Sequence, residues 1–221
     1  MPARIGIHGG TFDPVHLGHL TSARQVAAAF DLQTMLLVVS ANPPHKPQEQ
    51  ASAELRLAML RAAVNGDPVL QACGIELERG GPSYTVDTIA ELATRHPDAD
   101  LYLSMGIDAY EEIDTWSRPH ELLELCNVVV TSRPGCDFSE QPPRPPVAAS
   151  QDGCYDPAIG CFVHKSGHVI VGHRIEGIEV SSSDVRRRIR LGLPFEGLTG
   201  APVARIIRQN RLYGAPRRNP C

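Results

Sequence analysis

The chain predicts an α/β fold: a mainly parallel sheet with helices on both faces. Short apolar runs of strand length alternate with helix-patterned stretches from one end to the other. The runs are apolar without interruption, as expected for strands covered on both sides. Glycines and a helix-start pattern follow directly on the first run, the arrangement of an open sheet with its ligand crevice beyond the strand ends.

Arg4–His8 reads as a buried strand, followed by an alanine-rich helix over Leu17–Phe30 and a second strand over Met35–Val39. "SANPPHKP" is a loop stiffened by three prolines. "SAELRLAMLRAAV" has helical period, and Ser52 is the candidate N-cap, because its hydroxyl can accept from a free amide of the first turn. Val69–Leu77 is expected as a strand, and "RGGPSY" then turns into a helix from Thr85 to about His96. Leu101–Ser104 and Val128–Thr131 are further strands with helical segments between them. Cys136–Ala149 is a proline-rich surface excursion, the least ordered part by expectation. Val169–Val171 and Ile178–Val180 are short late strands, and Ser181–Leu191 and Pro202–Asn210 are closing helices. The expected organisation is one domain over residues 1–221, with 181–221 a small C-terminal helical part and 136–160 a proline-rich excursion.

A chain of 221 residues that is 42% hydrophobic can bury a sizeable core. It begins with no signal-peptide pattern, and no apolar run reaches the roughly 18 residues of a membrane span. Six widely spaced cysteines without a CxxC suit reduced thiols in a cytoplasm. Cys154, Cys161, His164 and His168 match no standard zinc spacing, so no metal site is expected there. The net charge of −4 is unevenly spread: from Ser181 onward nine arginines face two acids, which leaves +7 there and −11 on the first 180 residues. A basic end suits a solvated face, a nucleic acid or a small polyanion. The chain is acidic overall and has no aromatics interleaved with those arginines, which argues against nucleic acid.

The informative stretch is "GGTFDPVHLGH", residues 9–19. Gly9 and Gly10 let the backbone approach a phosphate because no Cβ intervenes. Thr11 adds a hydroxyl, and amides at a helix start attract anions. His16 and His19, three apart, can project from one side and donate to phosphate oxygens as charge grows on them. The stretch lacks the lysine-serine ending of a P-loop and is not GxGxxG. An HxxH pair also suits a metal, but no third ligand stands at a persuasive spacing.

This stretch resembles the HxGH signature of the nucleotidyltransferases. "PPHK" at 43–46, "PSYTVDT" at 82–88, "GIDA" with "TW" at 106–116 and "SSSDVRRRI" at 181–189 resemble one family, the bacterial nicotinate-nucleotide adenylyltransferases. HxGH alone marks the superfamily; the five pieces in this order are far more specific and span nearly the whole chain.

The resemblance implies a Rossmann-like nucleotidyltransferase fold. It further implies transfer of AMP from ATP to nicotinate mononucleotide in NAD biosynthesis, with Mg²⁺ bound through the ATP phosphates. By that likeness His16, His19 and Lys46 are the catalytic group, the lysine clamping phosphates as a point charge. Gly9, Gly10, Thr11, Gly106, Asp108, Ser182, Ser183 and Arg186 would meet ATP. Tyr84, Thr85, Trp116 and Arg133 would meet the mononucleotide: Trp116 by stacking on the pyridine, the helix start at Tyr84–Thr85 by offering N–H groups to the carboxylate. By their residue types alone, Trp116 is either a hydrophobic plug or a stacking platform, and Tyr84 is as readily a core anchor. His8 departs from the family, which usually has an apolar aromatic there; it is either a satisfied strand-end histidine or an addition to the phosphate site. The alternatives are an enzyme acting on nicotinamide mononucleotide or on both substrates and, more distantly, a phosphopantetheine adenylyltransferase or cytidylyltransferase. The implied partners are ATP and the mononucleotide, with neither nucleic acid nor membrane; a homo-oligomer is left open.

Overall fold

The structure, a computed structural model, describes residues 2–43, 51–132, 143–176 and 180–215. Strand β1 (Ala3–Gly10) is central, flanked by parallel β2 (Thr34–Val39) and β4 (Ala99–Gly106). Outside β2 lies β3 (Leu70–Cys73), and outside β4 lie β5 (Asn127–Thr131) and β8 (Val169–His173), all parallel. An antiparallel hairpin of β6 (Gly153–Asp156) and β7 (Cys161–His164) completes the sheet beyond β8. The order is thus β3-β2-β1-β4-β5-β8-β7-β6. It reverses direction between β1 and β4, which is where an open α/β sheet forms its ligand crevice.

Helices cover both faces. Helix α1 (Leu17–Ala29) and α2 (Ala53–Val64) pack on one core with Phe12, Met35 and Leu37. Ser52 caps α2, its hydroxyl accepting from the Leu55 amide at 3.4 Å. Helices α4 (Thr85–Arg95) and α6 (Pro119–Leu125) lie over a second core that includes Ile7, Leu103 and Val128. The closing helices α7 (Ser182–Arg190) and α9 (Ala201–Gln209), separated by the single turn α8 (Glu196–Thr199), return to the first face.

Three expectations need correction or completion. The strand expected over Val69–Leu77 stops at Cys73, and helix α3 (Ile75–Arg79) follows. Gly74 sits so close to α2 that a Cβ on it would lie 2.8 Å from Leu57, and Glu76 and Glu78 in the first turn favour a helix start. Of the late strand over Ile178–Val180, residues 178 and 179 lie outside the described residues, and Val180 is not in a strand. The β6–β7 hairpin was not expected at all. Within the proline-rich excursion, 136–142 lie outside the described residues; Ala148 and Ala149 are buried, held by Asp114, whose carboxylate accepts from the Val147 and Ala148 amides at 2.9 Å each.

Candidate active site

A cleft of about 480 Å³ opens where β1 and β4 end. One end is built by the β1–α1 connection. Gly9 and Gly10 close β1, and Gly10 is packed so tightly that a Cβ would lie 3.1 Å from the Phe12 ring. At Gly9 a Cβ would meet nothing within 4 Å, so its bare backbone faces the open cleft. The chain then turns through Phe12 at φ 50° and a cis Asp13–Pro14 bond and reaches His16, the N-cap of α1.

The two histidines lie face to face, with ring centroids 3.6 Å apart and planes 22° from parallel. The His16 amide donates to Nδ1 of His19 at 3.3 Å, so that nitrogen is an acceptor and Nε2 carries the proton of the neutral ring. His16 is 5% exposed, and its Nδ1 is buried without a hydrogen-bond partner among the described residues. Burial lowers its pKa to about 4, so the ring is neutral at physiological pH. Gly18 explains the small residue between the histidines: a Cβ there would lie 2.9 Å from Val180 and 3.1 Å from His16 Nδ1. His8 also lines the cleft, with Nδ1 3.4 Å from the Ser104 hydroxyl, and desolvation takes its pKa down to about 4.

The other end of the cleft is formed by Tyr84 and Thr85 at the start of α4, by Gly106 at the end of β4, and by Trp116. Tyr84 is the N-cap of α4 and makes no side-chain cap bond, which leaves the first-turn amides for another acceptor. Helix α5 (Ile107–Glu111) starts at Gly106, and a short 3-10 turn over Ile113–Thr115 delivers Trp116. Trp116 is half-buried: it packs on the second core and also lines the cleft.

Eight of the expected site residues therefore share one cleft: Gly9, Gly10, His16, His19, Tyr84, Thr85, Gly106 and Trp116. Thr11, Asp108, Ser182, Ser183 and Arg186 are not in its lining. Thr11 turns its carbonyl inward to Arg56 at 2.8 Å, and Asp108 is exposed in the first turn of α5. Ser182 and Arg186 grip the loop in front of the histidines: the Ser182 hydroxyl donates to the Pro14 carbonyl at 2.9 Å and the Arg186 guanidinium to the Asp13 carbonyl at 2.6 Å. Ser183 accepts from Arg186 at 3.0 Å. Lys46 and Arg133 lie outside the described residues.

Sequence reasoning missed Arg56, Glu76 and Tyr213. Arg56 is 1% exposed and donates to four backbone carbonyls, and Glu76 is a 6% exposed carboxylate in the cleft wall. The phenol of Tyr213 reaches Asp13. An arginine or glutamate inside an amphipathic run reads as surface, and a tyrosine near a basic tail carries no signal.

Comparison with known proteins agrees with this arrangement. The cytidylyltransferase-like family matches residues 7–188. A protein of Citrifermentans bemidjiense named probable nicotinate-nucleotide adenylyltransferase is 37% identical over 213 residues, 95% of this chain and 98% of its own length. The chain belongs to the nicotinate-nucleotide adenylyltransferase family. A Geobacillus thermodenitrificans member of the same name is 38% identical over 96% of this chain and 87% of its own. The solved Plasmodium falciparum nicotinic acid mononucleotide adenylyltransferase complexed with NaAD shares the fold, with a TM-score of 0.71 at 16% identity over 97% of this chain and 98% of that one. The cleft has a glycine and histidine end and an aromatic end. Among the described residues no helix is long and apolar enough to cross a membrane.

Proposed function

We propose that the protein transfers the adenylyl group of ATP to nicotinate mononucleotide, giving nicotinate adenine dinucleotide and pyrophosphate in NAD biosynthesis. The observation that carries this is the stacked His16–His19 pair beside the bare Gly9 backbone, at one end of a cleft whose other end holds Trp116 and the α4 start. A phosphate oxygen of the mononucleotide attacks the α-phosphorus of ATP, and the bond to the β-phosphate oxygen breaks. No protein nucleophile is needed; the site has to position the reactants and stabilise charge.

His19 offers Nε2–H, because its Nδ1 is already an acceptor. His16, neutral and with Nδ1 enclosed, is assigned the same tautomer, since a buried unpaired acceptor is tolerated more readily than a buried unpaired N–H. The two stacked rings supply two donors, and the neutrality of His16 removes the repulsion that two cations would have. Gly9 and Gly10 supply amides, and Lys46 the positive charge of the triphosphate clamp. Thr11, Asp108, Ser182, Ser183 and Arg186 remain proposed ATP contacts, and Arg133 a proposed contact of the mononucleotide phosphate.

Mg²⁺ would arrive on the ATP phosphates, neutralising the departing pyrophosphate; this ion favours phosphate oxygens and water over an all-protein cage. Among the described residues no group of three or more His, Cys, Asp or Glu side chains is placed to hold a metal. The carboxylate of nicotinate would sit on the α4 amides while Trp116 stacks on the ring. Pyrophosphate release from ATP, with the acid and amide mononucleotides side by side, tests the reading. Release with neither substrate would refute it, and equal release with both would convert it to a dual-specificity enzyme.

A further inference from the structure

Between the two ends of the cleft runs the loop that leaves β2, Ser40–Ala41–Asn42, and opposite charges bury themselves on either side of it. Arg56 reaches it from α2: its guanidinium donates to the Ser40 carbonyl at 2.7 Å and the Ala41 carbonyl at 3.3 Å. The same guanidinium holds the Thr11 carbonyl at 2.8 Å and the Ala51 carbonyl at 3.1 Å. Glu76 reaches the loop from α3: one carboxylate oxygen accepts from the Ala41 amide at 3.3 Å, the other from the Thr88 hydroxyl of α4 at 2.7 Å. Thr88 in turn accepts from Arg79 at 3.1 Å, which directs its own proton toward Glu76. Asn42 and Ser83 add a reciprocal pair, Asn42 N–H to the Ser83 hydroxyl at 2.9 Å and Ser83 N–H to the Asn42 carbonyl at 3.0 Å.

We propose that Arg56 and Glu76 are positioning residues that clamp the loop after β2 from opposite sides and so set the spacing between the phosphate and pyridine ends of the cleft.

The Ala41 residue presents its carbonyl to the cation and its N–H to the anion, so each charged bond polarises the loop in the sense that strengthens the other. Burying both charges is costly, and apolar residues of similar volume commonly hold a fold as well. What apolar residues cannot do is fix three backbone segments by direction as well as by contact. The fork of Arg56 fixes the Gly-rich connection through Thr11 and the β2 loop through Ser40. Glu76 fixes that loop to the helix whose first turn is assigned to the pyridine carboxylate. A shift of the loop therefore moves both ends together, though neither side chain has to touch a reacting atom.

This inference rests on the proposed assignment of the two ends, and its test separates the two. Binding of a non-hydrolysable ATP analogue alone, by calorimetry on the full chain, is compared with the mononucleotide KM in wild type, Glu76→Gln, Thr88→Val and Arg56→Lys. Glu76→Gln nearly keeps size but sets its amide against Ala41 N–H or the Thr88 hydroxyl. It is expected to weaken the ATP analogue roughly 3- to 30-fold, although it lies toward the mononucleotide end, and to raise the mononucleotide KM as well. Thr88→Val, which spares the Ala41 contact, should raise only the mononucleotide KM. Arg56→Lys, which keeps the charge and loses the fork, should weaken the analogue in the same range. Unchanged analogue affinity in a folded Glu76→Gln protein overturns the clamp, as does an Arg56→Lys variant that lowers Tm with both substrate constants intact. Wild type inactive with the acid mononucleotide would instead strike the functional assignment, and the ATP arm would still decide the clamp.

Discussion

Tyr213 donates its phenolic proton to Oδ1 of Asp13 at 2.5 Å, joining the turn over Leu212–Gly214 to the loop that precedes His16 and His19. Both groups are buried, at 7% and 5% exposure. Burial first, and the Asp13 carboxylate second, raise the phenol's pKa far above its ordinary value, so it stays a donor at any working pH. Together with Ser182 and Arg186 it fixes the Asp13–Pro14 segment from the C-terminal side. Tyr213→Phe should cost about 1–3 kcal/mol. For a chain of this size that lowers Tm by about 2–4 °C per kcal/mol. Turnover should fall about tenfold, with the mononucleotide KM unchanged. Thermal melts and initial rates check both, and a Phe variant with native Tm and kcat would show that the bond does neither job.

His16→Ala and His19→Ala should each lower kcat by about 10²–10³, the usual cost of removing one donor to a charged transition state. His16 is buried and His19 half-buried, but neither belongs to the two hydrophobic clusters, so circular dichroism should be near native. Turnover within a few-fold of wild type in both variants would remove them from the transition state.

Two histidines of the cleft, His8 and His16, set a pH dependence of stability. His8 and His16 have folded pKa values lowered to about 4 against an ordinary 6.5. Between those values the unfolded chain binds protons that the folded chain refuses, so stability is complete above about pH 6.5 and is lost as pH falls toward 4. Near pH 5 the pair contributes a slope of about 1.8 protons, about 2.4 kcal/mol per pH unit. Urea melts from pH 7 to 4.5 should show it, and His8→Phe should remove about one proton of the slope. An unaltered slope in that variant would mean His8 titrates normally in the folded protein.

The choice between acid and amide follows from the start of α4. Amide N–H groups pair with a carboxylate but meet the amide nitrogen donor to donor, leaving groups unsatisfied. A preference for the acid of at least about 10²-fold in kcat/KM is expected; sites of this kind reach about 10⁴–10⁵. Trp116→Ala should weaken both mononucleotides and leave ATP binding alone, because stacking reads the ring and not its substituent. Equal kcat/KM for acid and amide contradicts the carboxylate site, and equal losses for ATP and mononucleotide contradict the stacking.

What the sequence made legible was whatever has a local signature. Apolar runs gave β1, β2, β4 and β5, and the order of glycines, histidines and proline marked the end of β1 as the site. Val69–Leu77 was misjudged because its apolar residues continue past Gly74, while contact with Leu57 decides where the strand stops. The β6–β7 hairpin was invisible because β6 is largely exposed and has no apolar run. Arg56, Glu76 and Tyr213 act through partners up to 200 residues away, and no spacing within a helix announces such a partner.

The glycines of the signature answer to two different judges. Gly18 is confined by Val180 and His16, and Gly10 by Phe12, so a side chain at either forces those neighbours to shift. At Gly9 and Gly106 there is vacant space and no left-handed backbone, so alanine there should express, fold and melt like the parent. If the nucleotide lies against them as proposed, Gly9→Ala and Gly106→Ala should lower kcat/KM at an unchanged Tm, a loss that a screen scoring variants by abundance alone would pass over.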